Sequence, residues 1–464
     1  MRDYLLDHEY EFDVIFNDGN IFPLNSYGKI KLSQSGIDLD VICHYGNFKE
    51  QFNKIIKCIN CLTIDKKKIT IFNVLPNGYQ RTFCESSDDT PNAKFHFRAQ
   101  YCIIGKHLNS LDNDNKITSI SIKQNNLIQW IDKSIVEHTH DSDFTVENFK
   151  ISHEPAFYKM EIPNLGTIDF YISAITELNA YKNPEYDINY FINTKFLNNK
   201  TLNKSIEYLT RWEILYSLFM GQSYNLDSIY LTIENEKQGC YLYYIKDTKY
   251  PYNLHYIEVP LPCDKINNQL NSIFSKWFSI DDTLKHSSIL FFRALNQKDI
   301  KEGFLDAIKA TEGFLEKYNK TFFDENTLKD LILPNIKESL LSVIDDKKLI
   351  GRFVQSLKNT NKFRRNLENK LNKMIIDYNL QFLFPDMKLI NKMVSYRNIL
   401  SHNKGEEKYK NIDINILYEA YLKLMVILFI LFMHYLEIDI NNINYAINRN
   451  NFLKILMDNK KINK

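Results

Sequence analysis

Asp264-Lys265-Ile266-Asn267-Asn268-Gln269-Leu270-Asn271-Ser272-Ile273-Phe274-Ser275-Lys276-Trp277-Phe278 is the stretch in which the chain changes its hydrophobic period. Leu270, Ile273, Phe274, Trp277 and Phe278 recur at three- and four-residue spacing, which makes one apolar face of a helix. Upstream the apolar residues follow strand patterning. Tyr10 to Phe16, Ile37 to Ile42, Lys68 to Val74, Lys94 to Ile104, Ile117 to Ile122, Thr167 to Ile172, Ser228 to Ile233, Tyr241 to Ile245 and His255 to Val259 read as strands. Asn17-Asp18-Gly19-Asn20 has the chemistry of a turn. One helix, Asn203 to Met220, interrupts this region with Leu209, Trp212, Leu215 and Leu218 on one face.

Downstream the helical period persists over Ile300 to Tyr318, Thr327 to Ile344, Phe353 to Tyr378, Met387 to His402 and Ile414 to Leu436, with Pro334 expected to break the second of these. The expected fold class is therefore α+β. A β-rich N-terminal domain with an inserted helix occupies residues 1–263, connecting helices 264–298, and an all-α bundle 299–464.

Composition agrees with a packed globular protein: of 464 residues, 44% are hydrophobic and 25% charged. With only 13 Gly and 11 Pro, collagen-like, linker-dominated and disordered classes are excluded. The net charge is +1, yet its distribution is uneven. Residues 351–410 hold 13 Lys and Arg against 5 Asp and Glu, a local excess of the kind that meets phosphate-bearing ligands, or simply a solvated lysine-rich face. Met1 is followed at once by Arg2 and Asp3, which does not read as a signal peptide. The most apolar run, Leu424 to Met433, is half of the roughly 20 residues a membrane helix needs and reads as a buried helix. A cytoplasmic protein with no membrane partner is expected.

P-loop, dinucleotide-fingerprint, zincin and nucleophile-elbow signatures are absent. Cys58-Ile59-Asn60-Cys61 has the spacing of half a zinc site without the other half, and His138-Thr139-His140 beside Asp141 and Asp143 reads as a polar loop. No metal or cofactor is called for. The seven cysteines all precede Asp264, and their odd number and irregular spacing do not make a disulfide framework.

The informative segment is Ser395-Tyr396-Arg397-Asn398-Ile399-Leu400-Ser401-His402-Asn403-Lys404-Gly405, at the end of an expected helix inside the basic region. Arg, Asn and His together can cleave RNA without a metal. An imidazole moves a proton at the 2′-hydroxyl or the leaving 5′-oxygen, a guanidinium holds the phosphate, and an amide orients either one. Geometry adds a condition. Five residues along a straight helix turn roughly 500°, so Arg397 and His402 would point about 140° apart, whereas Asn398 and His402 share a face. Either the helix ends before His402, or a second subunit completes a composite cleft. Helix capping and salt bridging by the same residues are the plainer alternative.

This segment resembles the motif of ApeA-like HEPN ribonuclease domains: Tyr396-Arg397-Asn398, then Leu400-Ser401-His402, then Asn403-Lys404-Gly405. Ala310-Thr311-Glu312-Gly313-Phe314 and Phe363-Arg364-Arg365-Asn366-Leu367 fit the same resemblance. The N-terminal part is similar to the ApeA N-terminal domain at Tyr101 to Leu108, at Leu127-Ile128-Gln129-Trp130 and at Ser275-Lys276-Trp277-Phe278. The resemblance implies an anti-phage, abortive-infection endoribonuclease that needs no metal and leaves 2′,3′-cyclic phosphate and 5′-hydroxyl ends. It gives Arg397 the phosphate, His402 the acid–base step, Asn398 an orienting role and Glu312 a supporting carboxylate. Tyr396, Lys392 and Lys404 are the accompanying RNA-binding candidates, with Tyr396 either stacking on a base or packing in the core. The expected partners are RNA, with tRNA one guess, a phage-derived trigger sensed by the N-terminal domain, and a second copy of the chain. The alternative is a non-catalytic RNA- or nucleotide-binding module.

Overall fold

The computed structural model describes residues 4–16, 21–22, 26–44, 54–81, 92–112, 116–131, 136–140, 146–151, 158–177, 185–224, 226–244, 258–318, 320–321, 327–363, 367–401 and 412–462. The chain forms two compact units, Met1–Ser279 with Leu436–Arg449, and Ile280–Tyr435 with Asn450–Lys464. The first is built on a large antiparallel sheet and the second is helical, an α+β chain.

In the first unit, β1 (Tyr10–Phe16), β2 (Ser26–Ser33), β3 (Gly36–His44), β4 (Ile56–Thr63), β5 (Lys68–Arg81) and β6 (Asn92–Ala99) pair in the closed cycle β1-β2-β3-β6-β5-β4. Closure removes free edges, and the six strands make a small barrel whose interior side chains fill. Alternation decides which residues go inside. Val14, Phe16, Ile30, Leu32, Leu39, Val41, Phe95 and Phe97 are buried. The positions between them put Asp13, Lys29, Asp40 and His96 in one outward row by register. Asp40 accepts from Lys94 at 2.7 Å and contacts His96 at 2.6 Å.

β5 serves two layers. Its later half pairs with β6, while Ile69–Phe72 pair with β7 (Tyr101–Ile104). From there the sheet continues as β7-β15-β14-β8-β13-β12-β11. These are β8 (Ile117–Lys123), β11 (Tyr158–Ile162), β12 (Gly166–Glu177), β13 (Glu185–Lys200), β14 (Ser228–Ile233) and β15 (Cys240–Tyr244). Between them in the chain, β9 (Val136–His140) and β10 (Val146–Ile151) form a separate hairpin, so His138 to His140 are strand, not loop. Asp141 and Asp143 lie outside the described residues.

The inserted helix is Leu202–Met220, capped by the Thr201 hydroxyl accepting from Lys204 N at 3.2 Å and ended by Gly221 at φ 66°, a left-handed turn that favours glycine. Its Trp212 Nε1 donates to Gln124 Oε1 at 3.1 Å. Trp277, from the helix Leu270–Phe278, donates through Nε1 to Arg211 O at 2.9 Å, and Arg211 Nη2 donates back to Trp277 O. Trp130, on the short helix Leu127–Ile131, donates to Leu261 O at 2.9 Å and stacks on Phe219 at 5.3 Å. All three tryptophans of the protein are thus buried in this unit with their polar atom satisfied. The period change at residue 264 therefore occurs inside the first unit, whose longer stretch runs to Ser279. A late helix, Ile440–Arg449, returns to it, with Asn442 Nδ2 donating to Lys265 O at 2.7 Å and Glu437 pairing with Lys276.

The second unit contains the helices Asp282–Asn296, Ile300–Phe314, Leu333–Leu341, Lys347–Asn361, Leu367–Asp377, Lys388–Ser401, Ile414–Tyr435 and Asn451–Ile462. Asp281, Asp299 and Asp413 cap three of them by accepting backbone N–H bonds from the first turn. Pro334 lies in the first turn of its helix, after a π-helical turn at Thr327–Ile332. It therefore begins a helix where the sequence suggested a break, since a first-turn residue has no intrahelical N–H bond to lose. The Ile414–Tyr435 helix is long and apolar enough to cross a membrane, with mean hydropathy 2.1, but 78% of that window is buried inside the protein. Its Phe432 meets Phe314 edge-on at 4.9 Å and Phe291 at 5.5 Å, so it is the axis of the bundle core.

Candidate active site

The helix Lys388–Ser401 carries the motif, and its start is fixed by Asp386 Oδ1, which accepts from Lys388 N at 2.9 Å. Ile390, Met393 and Tyr396 recur at three-residue spacing and are buried, which turns the next position, Arg397, toward the flank of the interface. There it meets Glu312 of the Ile300–Phe314 helix. Arg397 Nε donates to Glu312 Oε1 at 2.9 Å and Nη2 donates to Oε2 at 3.2 Å. Glu312 is held in turn by its neighbours, because Ala310 and Thr311 are fully buried and Thr311 Oγ1 donates to Ala307 O at 2.9 Å.

The way the pair is made matters more than its strength. Both side chains keep roughly a quarter to a third of their exposure, 26% for Arg397 and 32% for Glu312, so the ion pair is worth at most about 1 kcal/mol to stability. Geometrically it is decisive. A guanidinium has five N–H donors in a fixed plane. Glu312 takes the side edge, Nε with one Nη2 hydrogen, and leaves the Nη1–Nη2 end edge. That end edge is the fork that binds a phosphate in two-point fashion. Among the described residues the single other contact there is a long one, Nη1 to Asn398 Oδ1 at 3.4 Å. Arg397 is thus pinned in place and still open to an anion.

Tyr396 is buried, and its hydroxyl accepts from Asp413 N at 3.3 Å. That placement is packing, and stacking on a base would require the ring to be uncovered. Lys392 is exposed on the same helix. His402 and Lys404 lie outside the described residues. Asp413 was not singled out from sequence, although an Asp immediately before the apolar run from Ile414 is a helix-start signal.

The cysteine pair falls away as a ligand set on elementary geometry. Cys58 and Cys61 are three apart on β4 and so face opposite sides of the strand. Cys61 is buried, with its thiol pushed far up by burial, and Cys58 Sγ donates to Leu108 O at 3.1 Å. Among the described residues there is no cluster of three or more His, Cys, Asp or Glu positioned to hold a metal ion.

Comparison with known proteins gives two family matches. ApeA N-terminal domain 1 matches residues 14–277, and the Apea-like HEPN domain matches residues 305–441, a span that contains Glu312, Arg397 and Asn398. Neither a curated protein nor a solved structure matches the chain. The sheet-based first unit, the helical second unit and both matches agree: the chain belongs to the ApeA-like family of anti-phage defence proteins, with an ApeA N-terminal domain followed by a HEPN domain of the nuclease class.

Proposed function

We propose that the helical unit is a metal-independent endoribonuclease that acts in abortive infection. The observation that carries this reading is the Arg397 guanidinium, held side-on by Glu312, with its end edge meeting only the long Asn398 contact among the described residues. In the reaction, an RNA 2′-oxygen attacks the adjacent phosphorus as its proton leaves, and the bond to the 5′-oxygen breaks as that oxygen gains a proton. The products are a 2′,3′-cyclic phosphate and a 5′-hydroxyl. Arg397 binds the phosphate and neutralises charge growing on its non-bridging oxygens. His402 moves the proton, Asn398 orients the phosphate or the imidazole, and Glu312 is a positioning residue that fixes the guanidinium plane. Lys392 and Lys404 add positive charge along the strand's path. DNA is not a substrate, because the attacking 2′-hydroxyl is missing.

A two-fold dimer that sets two motif helices face to face would double the positive charge and bring a second His402 to the cleft. The N-terminal unit restrains the nuclease until it senses a phage component. Transfer RNA is the first substrate class to test. The deciding experiment incubates the full chain and His402→Ala with total cellular RNA in EDTA, with and without lysate of infected cells, and analyses product ends. Cyclic phosphate ends from wild type alone support the reading. Equal cleavage by both removes His402 from the mechanism, and no cleavage even with infected lysate leaves a binding module.

A further inference from the structure

A second group of polar side chains lies in the helical unit, five residues along the chain from Glu312. Lys317 Nζ donates to Tyr378 Oη at 2.9 Å and sits over two rings, 4.6 Å from the centre of Tyr378 and 5.1 Å from that of Tyr318. Lys373 Nζ lies over the same Tyr318 ring at 5.8 Å. The His434 imidazole packs against Tyr378 at 5.0 Å. Three elements supply these groups: the turn after the Ile300–Phe314 helix, the end of the Leu367–Asp377 helix, and the last turn of the Ile414–Tyr435 helix.

The two ammonium groups of this cluster rest on rings. Neither Lys317 nor Lys373 makes an ion pair with a carboxylate among the described residues. Burial first, and then Asp377, four residues after Lys373 on the same helix, push up the pKa of the buried Tyr318 hydroxyl. Rings hold the ammonium groups in place but do not neutralise them. Tyr378 Oη accepts from Lys317, so its own O–H remains available to donate. Two ammonium groups held over rings and a phenol O–H, set against the single carboxylate of Asp377, are donors in excess, which is the recognition chemistry of a phosphate diester.

The chain direction adds the link to the first site. The Leu367–Asp377 helix that carries Lys373 packs against the Lys388–Ser401 helix that carries Arg397, and Lys317 follows directly on the helix that carries Glu312. We propose that Lys317, Lys373 and the Tyr378 hydroxyl form a phosphate subsite that holds the backbone of the RNA strand beyond the Arg397 phosphate. The choice of RNA rests on the nuclease reading above, whereas the subsite itself is tested by binding alone.

The test uses the full chain in EDTA and a fluorescein-labelled 2′-O-methyl oligouridylate, which cannot be cut because its 2′-oxygen is blocked. Affinity is read by fluorescence polarisation across a salt series. Each single-strand phosphate contact contributes about 0.7 to the slope of log affinity against log salt. Lys317→Gln/Lys373→Gln is expected to bind roughly tenfold more weakly at 100 mM salt, with a slope reduced by about 1.4. Lys373→Arg, which keeps the charge, is expected to bind as wild type does. If the double variant fails to fold, Lys373→Gln alone carries the test with a slope change of about 0.7, since among the described residues its ammonium makes only the ring contact. Unchanged affinity and slope in a folded variant overturn the subsite, as does a wild type that binds no oligonucleotide. Loss of cleavage chemistry with the lysine effect intact would remove the nuclease reading and keep the subsite.

Discussion

Glu312 and Arg397 lie 85 residues apart in the chain and meet through two parallel hydrogen bonds on the side edge of the guanidinium. A carboxylate in that position does two opposed things. It lowers the net charge a phosphate would meet, and it fixes the plane in which the phosphate must arrive. Orientation wins here because the pair keeps a quarter to a third of its exposure, where charge is partly screened and geometry is not.

Glu312→Gln keeps the size of the side chain and loses the paired acceptance. We expect a folded protein whose cleavage rate constant falls about 10- to 100-fold, with thermal stability changed by less than about 1 kcal/mol. Single-turnover cleavage beside a melting curve checks this. A fully active variant would show that Arg397 needs no partner.

Gly313 is a packing device beside the same carboxylate. A Cβ there would lie 1.9 Å from Ser287 Oγ on the neighbouring helix. Gly313→Ala should cost about 1–3 kcal/mol through overpacking and displace Glu312, lowering activity with stability. Adding Ser287→Ala removes the clashing oxygen and should restore most of both. Urea titrations of the two variants separate this from a simple helix-propensity gain, which has the opposite sign.

His434 predicts an acid-side weakness. Burial first, and then the nearby Lys317 charge, hold the imidazole below its ordinary pKa of 6.5. A group depressed in the folded state stabilises the fold above its unfolded pKa and gives that stability up as pH falls through the folded value. The urea midpoint should therefore drop between pH 7 and pH 5, and His434→Gln should flatten that dependence. An unchanged slope in the variant would assign the loss to other groups.

The thiols of the first unit should be chemically quiet. Burial pushes Cys43 up to about 11 and Cys240 up to about 12, and raises Cys61 and Cys102 well above the ordinary thiol range. Thiolate is the reactive form, so native iodoacetamide at pH 7.5 should leave these four unmodified, and all should label once urea is added. Mass spectrometry of tryptic peptides reads the outcome. Fast native labelling at Cys61 would mean the barrel opens.

Local pattern told most where one face is wet. Tyr10–Phe16 and Ser228–Ile233 form strands over the spans their residues suggested. Lys94 to Ile104 reads as one strand but is two, because the chain turns at Gln100 and each half pairs with a different neighbour or edge of β5. Glu185–Lys200 was not legible at all: its Asn, Lys and Tyr do not alternate cleanly, and it is a strand because β12 and β8 flank it. Closure of the barrel depends on long-range register, which no short window contains. At the site, the residue types were readable at Arg397, Asn398 and Glu312, while the side-on grip was not, since it depends on two helices meeting. Tyr396 shows the limit from the other side, as an aromatic in a motif looks the same whether it waits for a base or fills a core.

The chain passes between its two units at Ser279, again at Tyr435, and a third time at Arg449. This routing sets the order of manufacture. The ribosome must release Leu436–Arg449 before the first unit has all its parts, and Asn450–Lys464 before the second has its own. A message cut short after Tyr435 yields neither a complete first unit nor a complete second unit. Clipping a single linker could not free one from the other intact, and a gene that swapped in a new N-terminal domain would have to replace a piece near its far end as well.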